Sequence, residues 1–166
     1  ISVWPRNPVW SVSSFRADPQ VAKEILRVYK DPSFNGSRTF PINVTASAQN
    51  RNHFDLDVGA GHFVVTLGNA QIGEIESSPL VIAAAQWADV PAAVTWSIGP
   101  EAVQSAQRTG STKISAIITG SVPIRCLGIV KATLSPTCKV DVDLALLDKC
   151  PDDMVEVGQC SWSFRF

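Results

Sequence analysis

The side chains able to do chemistry are few. His53 and His62 are the only histidines in the chain, and an imidazole is the usual general base near neutral pH. Neither stands in a G-x-S-x-G or H-E-x-x-H context that would supply a nucleophile or a zinc ion. His53 falls among turn formers in "AQNRNHF" and His62 opens an alternating run, "HFVVTL", so both read as solvated or hydrogen-bonded residues. Asp55 and Asp57 with Gly59 resemble the start of a calcium loop, but the pattern is not completed and no acid stands at its twelfth position. Their alternation with Phe54, Leu56 and Val58 is that of a strand with one wet face, as is that of Asp141 and Asp143 among Val140, Val142 and Leu144. The acids of "CPDDMVEVGQC" read as a solvated loop. "VGAG" lacks both the lysine of a phosphate-binding loop and the third glycine of a dinucleotide turn. The expectation is a protein with no catalytic set, no cofactor and no metal site, hence not an enzyme.

Cys126, Cys138, Cys150 and Cys160 all lie in the last quarter of the chain, with no C-x-x-C and no histidine nearby in sequence. That spacing disfavours zinc and favours disulfides. Three pairings are open; short loops are the simplest to close, which favours Cys126 with Cys138 and Cys150 with Cys160. Paired cysteines imply an oxidising compartment. Two N-x-S/T sequons, at Asn35 and Asn43, point the same way and mark candidate N-glycosylation sites. The expected location is extracellular, on the cell surface or in the secretory lumen.

These features must be carried by a chain of 166 residues, 45% hydrophobic and 17% charged, a composition that suits one compact domain. A formal charge of -1 gives no net field for steering toward nucleic acid or an anionic membrane, although a local patch is compatible with it. No apolar run approaches the roughly 20 residues of a membrane helix. No secretory signal opens the chain, so a targeting segment is expected to have been removed or to lie outside this sequence.

The first element is helical. In "ADPQVAKEILRVYKDPS", Asp18 caps, Pro19 fits the first turn, and Val21, Ile25, Val28 and Tyr29 share one face, giving a helix over 18–31. From Thr39 the period changes to two, in "FPINVTASAQN", "HFDLDVGAGHFVVTL", "AAVTWSI", "STKISAIITGSVPI", "CLGIVKATL" and "CKVDVDLALL". A second short helix is expected in "GPEAVQSAQRTG". The whole reads as a single mainly β domain over 1–166: an apolar arm at 1–17, the helix, an antiparallel β-sandwich core at 39–147, and a Cys-bounded extension at 148–166.

The order of these stretches is similar to a known family. "RNPVWSVSSF", then "FPINVTASAQNRNHFDLDVGAGHFVVTLGNAQIGEIESSP", "VTWSI" and "CKVDVDLALL" resemble the late embryogenesis abundant group 2 domain, also called the water-stress and hypersensitive-response domain, found in harpin-induced-like proteins. Ile42, Val44, Asn50 and Asn52 match its first strand and N-P-N turn, with Arg51 in place of the proline, and Ile72, Gly73 and Pro79 match its "I-G-x-x-x-x-P". The resemblance implies a fibronectin-III-like or immunoglobulin-like sandwich without an enzymatic site, often the ectodomain that follows a membrane helix.

Both ends of the chain are apolar. Ile1, Val3, Trp4, Val9 and Trp10 open it, and Trp162, Phe164 and Phe166 alternate at its close. These are candidate contacts for a protein partner or another copy of the chain, or else they fill one core. Three functions compete: an extracellular interaction or structural domain, a subunit that self-assembles into a filament by exchanging an apolar arm, and a lipid-binding sandwich with a groove lined by "PLVIAAAQWADVPAAV".

Overall fold

Alternating apolar and polar side chains keep the backbone extended, because only an extended chain sends neighbours to opposite faces. The computed structural model describes residues 6–16, 18–108 and 113–166. Among the described residues it contains ten strands: β1 (Val9–Arg16), β2 (Arg38–Gln49), β3 (Leu56–Val58), β4 (Gly61–Leu67), β5 (Ala70–Ser77), β6 (Leu80–Ile82), β7 (Trp87–Ile98), β8 (Lys113–Cys126), β9 (Val130–Asp143) and β10 (Val155–Arg165).

All of them join one antiparallel sheet. Its order is β1, β2, β7, β5, β4, β8, β9, β10. The long β8 pairs with β4 through Ile117–Ser121 and then with β3 through Ile124–Cys126, and β6 lies outside β3. Gly120 marks the change: a Cβ there would lie 2.7 Å from the Cα of Phe63, so the close approach of β4 requires glycine. The end strands β1 and β10 come into contact, and the sheet is a nearly closed barrel. The sequence pointed instead to two packed sheets. Alternation is common to sandwiches and barrels; strand pairing separates them, and periodicity does not encode pairing.

Helix α1 (Pro19–Lys30) starts where Asp18 accepts the Gln20 N–H at 2.8 Å and buries Ala22, Ile25, Val28 and Tyr29. It ends at Asp31, whose carboxylate accepts the Ser33 N–H at 2.9 Å and hydroxyl at 2.6 Å; these bonds hold its carboxyl below the usual range. Helix α2 (Pro100–Arg108) packs on α1 through the same core, with Ala102 and Val103 buried. Arg38 donates to Glu24 at 2.8 Å and ties α1 to the start of β2. Because β2 begins and β7 ends beside the helices, the helices cover one end of the barrel. The opposite end carries the β8–β9 turn.

The expected cysteine pairing is corrected. The bridge joins Cys138 to Cys160, while Cys126 and Cys150 are free. Loop length was the wrong criterion: β9 and β10 are in register with Cys138 directly opposite Cys160, at a Cα separation of 4.1 Å. Residues 155–165, expected within a C-terminal extension, are a strand of the common sheet. The bridge pins that strand to β9.

Candidate binding site

The interior face of the barrel is set by parity. On β2, Val44, Ala46 and Ala48 point inward; on β7, Val90, Ala92 and Val94; on β8, Ile118, Val122 and Ile124. Alanine at positions 46, 48 and 92 is too small to meet the opposite wall, and the barrel is left with two apolar chambers. One, of about 150 Å³, lies toward the β8–β9 turn, against Leu56, Leu80, Ile82, Leu134 and Phe164. The other, of about 130 Å³, lies toward the helices, against Val65, Ile72, Trp96, Val140 and Met154. Trp10, Ala46, Ile75, Ala92 and Ile118 belong to both walls, so the chambers adjoin at Trp10.

Trp10 carries the site's one unanswered polar group. Its Nε1 is buried with no hydrogen-bond partner among the described residues. A buried donor of this kind is rare, since an amide or indole N–H without a partner loses its water for nothing. The contrast within the same interior is Trp96, whose Nε1 donates to the Tyr29 hydroxyl at 3.3 Å. Burial pushes the Tyr29 phenol up to about 12, partly offset by that bond.

Asn50 also reaches the first chamber, and its amide is fully used. Nδ2 donates to the carbonyls of Phe54 at 2.8 Å, Ile82 at 2.9 Å and Ala83 at 3.3 Å, and Oδ1 accepts from the Asn52 N–H at 3.0 Å and Nδ2 at 2.9 Å. Asn52 Oδ1 accepts the Arg6 N–H at 2.6 Å. Two buried asparagines thus hold the β2–β3 connection against β6 and the segment before β1. The sequence resemblance marks both residues, but nothing in the pattern shows that they are buried fasteners.

The remaining candidates are spread out. Ile1, Val3 and Trp4 lie outside the described residues. Trp10, Trp162 and Phe164 line the first chamber, whereas Val9 and Phe166 are exposed, Phe166 stacking on Phe164 at 6.4 Å between ring centroids. Asn35 is exposed between α1 and β2, and Asn43 on β2. His53 and His62 are both exposed. Asp55 accepts the Ala84 N–H at 2.9 Å, Asp141 the Ser115 hydroxyl at 2.6 Å and Asp143 the Ala145 N–H at 3.1 Å, so these acids serve turns and strand surfaces. Among the described residues no three of His, Cys, Asp and Glu are grouped to hold a metal ion. Burial pushes the Cys126 thiol up, away from the reactive thiolate; Cys150 is exposed. The Cys138–Cys160 bridge is consistent with an oxidising compartment, and among the described residues no helix is long and apolar enough to cross a membrane.

No family model matches the chain, and no curated protein matches it. A crystal structure of a protein from Archaeoglobus fulgidus is similar over 98% of this chain and 96% of that one, at 10% identity and a TM-score of 0.40, a likeness too weak to bear on function.

Proposed function

We propose that this protein is a non-enzymatic binding module, working in an extracellular or lumenal compartment, that holds a slender apolar molecule bearing one hydrogen-bond acceptor. The observation that carries the reading is Trp10, whose side chain lines both apolar chambers and whose buried Nε1 has no hydrogen-bond partner among the described residues. Close-packed interiors contain few voids larger than a water molecule. The first chamber is only partly enclosed and its wall is almost wholly apolar, so leaving it to water keeps apolar surface hydrated at a cost in free energy. An occupant removes that cost. An apolar cavity of about 150 Å³ takes up benzene, and two adjoining ones suit a chain of roughly ten carbons by the same measure.

The groove expected from "PLVIAAAQWADVPAAV" supports this reading: Leu80, Ile82, Val90 and Ala92 all lie on the first chamber's wall. The curled sheet supplies the two opposed walls that a sandwich was expected to supply. Exposed sequons at Asn35 and Asn43 and the disulfide favour the secretory route. The arm-exchange reading keeps only Val9 and Phe166 as exposed apolar contacts among the described residues of the two ends.

Calorimetric titration with decanol and with decane tests the proposal. Decanol is expected to bind about tenfold more tightly than decane, the worth of one hydrogen bond, and Trp10→Phe is expected to abolish that preference while sparing decane binding. Ala92→Leu, which adds bulk to both chambers, is expected to block both ligands. Failure of either ligand to bind the folded protein overturns the reading.

A further inference from the structure

The β8–β9 turn breaks the rules for its own geometry. The Ile129 N–H donates to the Cys126 carbonyl at 3.2 Å, closing a tight turn whose central residues, Leu127 and Gly128, have φ of 54° and 71°. A hairpin turn with two positive φ values is normally Asn-Gly or Asp-Gly, because a branched apolar side chain is strained in the left-handed region. Here leucine takes the strained place and points at water. Leu127 is 52% exposed, Ile129 80% and Val130 43%, which makes the tip one of the most apolar exposed points of the described surface. A rule broken at a cost in stability, with no gain inside the fold, is where a function outside the fold is expected.

The surroundings of the tip indicate what covers it. Arg125 and Lys131, exposed, stand directly opposite each other across the hairpin. Like charges in that position repel. With Arg165 they line one shallow hollow next to Phe166, where Asp57, opposite Arg125 in register, is the one acidic side chain among the lining residues. None of the three cations makes an ion pair among the described residues. Cations in a collar behind an apolar tip, on a chain whose formal net charge is -1, match an anionic lipid bilayer: the tip enters the acyl region and the collar meets the phosphates.

We infer that the β8–β9 turn docks this protein on anionic membranes through Leu127 and Ile129, with Arg125, Lys131 and Arg165 on the headgroups. This goes beyond the interior binding reading and does not depend on it. The two are contiguous in space, because Ile124 and Leu134, a short way down the same hairpin, line the first chamber. A bilayer at the tip faces the end of the barrel that the helices leave uncovered.

Co-sedimentation with vesicles of phosphatidylcholine, alone and mixed equally with phosphatidylserine, tests the inference with no small ligand added. The protein is expected to pellet with the mixed vesicles and only weakly with the neutral ones. Arg125→Glu with Lys131→Glu should lower partition into mixed vesicles about twentyfold or more, near fivefold for each cation. Leu127→Asn is the decisive variant: it restores the residue the turn prefers, so it should raise the melting temperature while lowering vesicle binding about tenfold. A loss of binding through misfolding would move the melting temperature the other way. Trp10→Phe should leave vesicle binding unchanged, so failure of the interior reading and failure of this one are told apart. Equal binding to both vesicle types, no binding to either, or binding indifferent to Leu127→Asn overturns the inference. So does self-association that Leu127→Asn abolishes without any vesicle binding.

Discussion

Asn50 has no exposed surface, and each polar atom of its side chain is engaged. Replacing it with alanine takes the Asn50 donor from the Phe54 and Ile82 carbonyls and strands the Asn52 N–H, and leaving buried polar groups unpaired is the costly side of hydrogen bonding. Asn50→Ala is therefore expected to destabilise the fold by about 3 kcal/mol in denaturant titration. An exposed asparagine in the same connection would cost a few tenths. Tyr29 offers a second test, since it is the only tyrosine in the chain. Its phenol is pushed from 10.0 up to about 12 by burial, so absorbance of the phenolate should show a single transition near the upper value while the fold persists. Between those two values the unfolded chain has lost the proton that the folded chain keeps. Stability is then fully present below pH 10 and falls as pH rises through the window, by up to about 3 kcal/mol. Tyr29→Phe should flatten that part of the profile. A phenolate transition near 10 in the folded protein would contradict the buried placement. Residue chemistry of this kind was only partly legible in the sequence: Asn50 stood out through a resemblance, but burial is a property of the assembled loop.

At the scale of elements, the helices and most strands follow from local rules. Asp18, Pro19 and Asp31 mark the ends of α1, and period-two alternation marks the long strands. What local rules do not carry is partnership. Cys138 and Cys160 meet because β10 lies beside β9 in a particular register, and neither strand announces its neighbour. Peptide mapping under non-reducing conditions should recover a Cys138–Cys160 cross-link. An alkylating reagent should label Cys150 rapidly in the native protein and Cys126 only after unfolding. Reduction of the bridge, which spans a sequence separation of 22, is expected to lower stability by about 3 kcal/mol and to free β10 first. Recovery of a Cys126–Cys138 or Cys150–Cys160 peptide would overturn the β9–β10 register.

At the scale of the whole molecule, the sheet curls into a nearly closed barrel, and Trp10, Trp162 and Phe164 from its two end strands line one chamber. Trp10 and Phe164 are far apart in sequence but share a chamber wall. The choice between filling a core and contacting a neighbour was open in the sequence because both outcomes use the same apolar residues. The cavities were not legible at all: Ala46, Ala48 and Ala92 are ordinary strand residues until the opposite wall is known. The binding reading requires the Trp10 indole to face an internal site that accepts a ligand. It is tested most directly by following the indole N–H proton resonances while decanol is added. Five tryptophans give five signals, and Trp10→Phe identifies the one that matters. Decanol is expected to move the Trp10 signal downfield in a saturable way, as its N–H gains an acceptor, and to leave exposed Trp87 unmoved. A Trp10 signal that stays in place as decanol reaches saturation would contradict it.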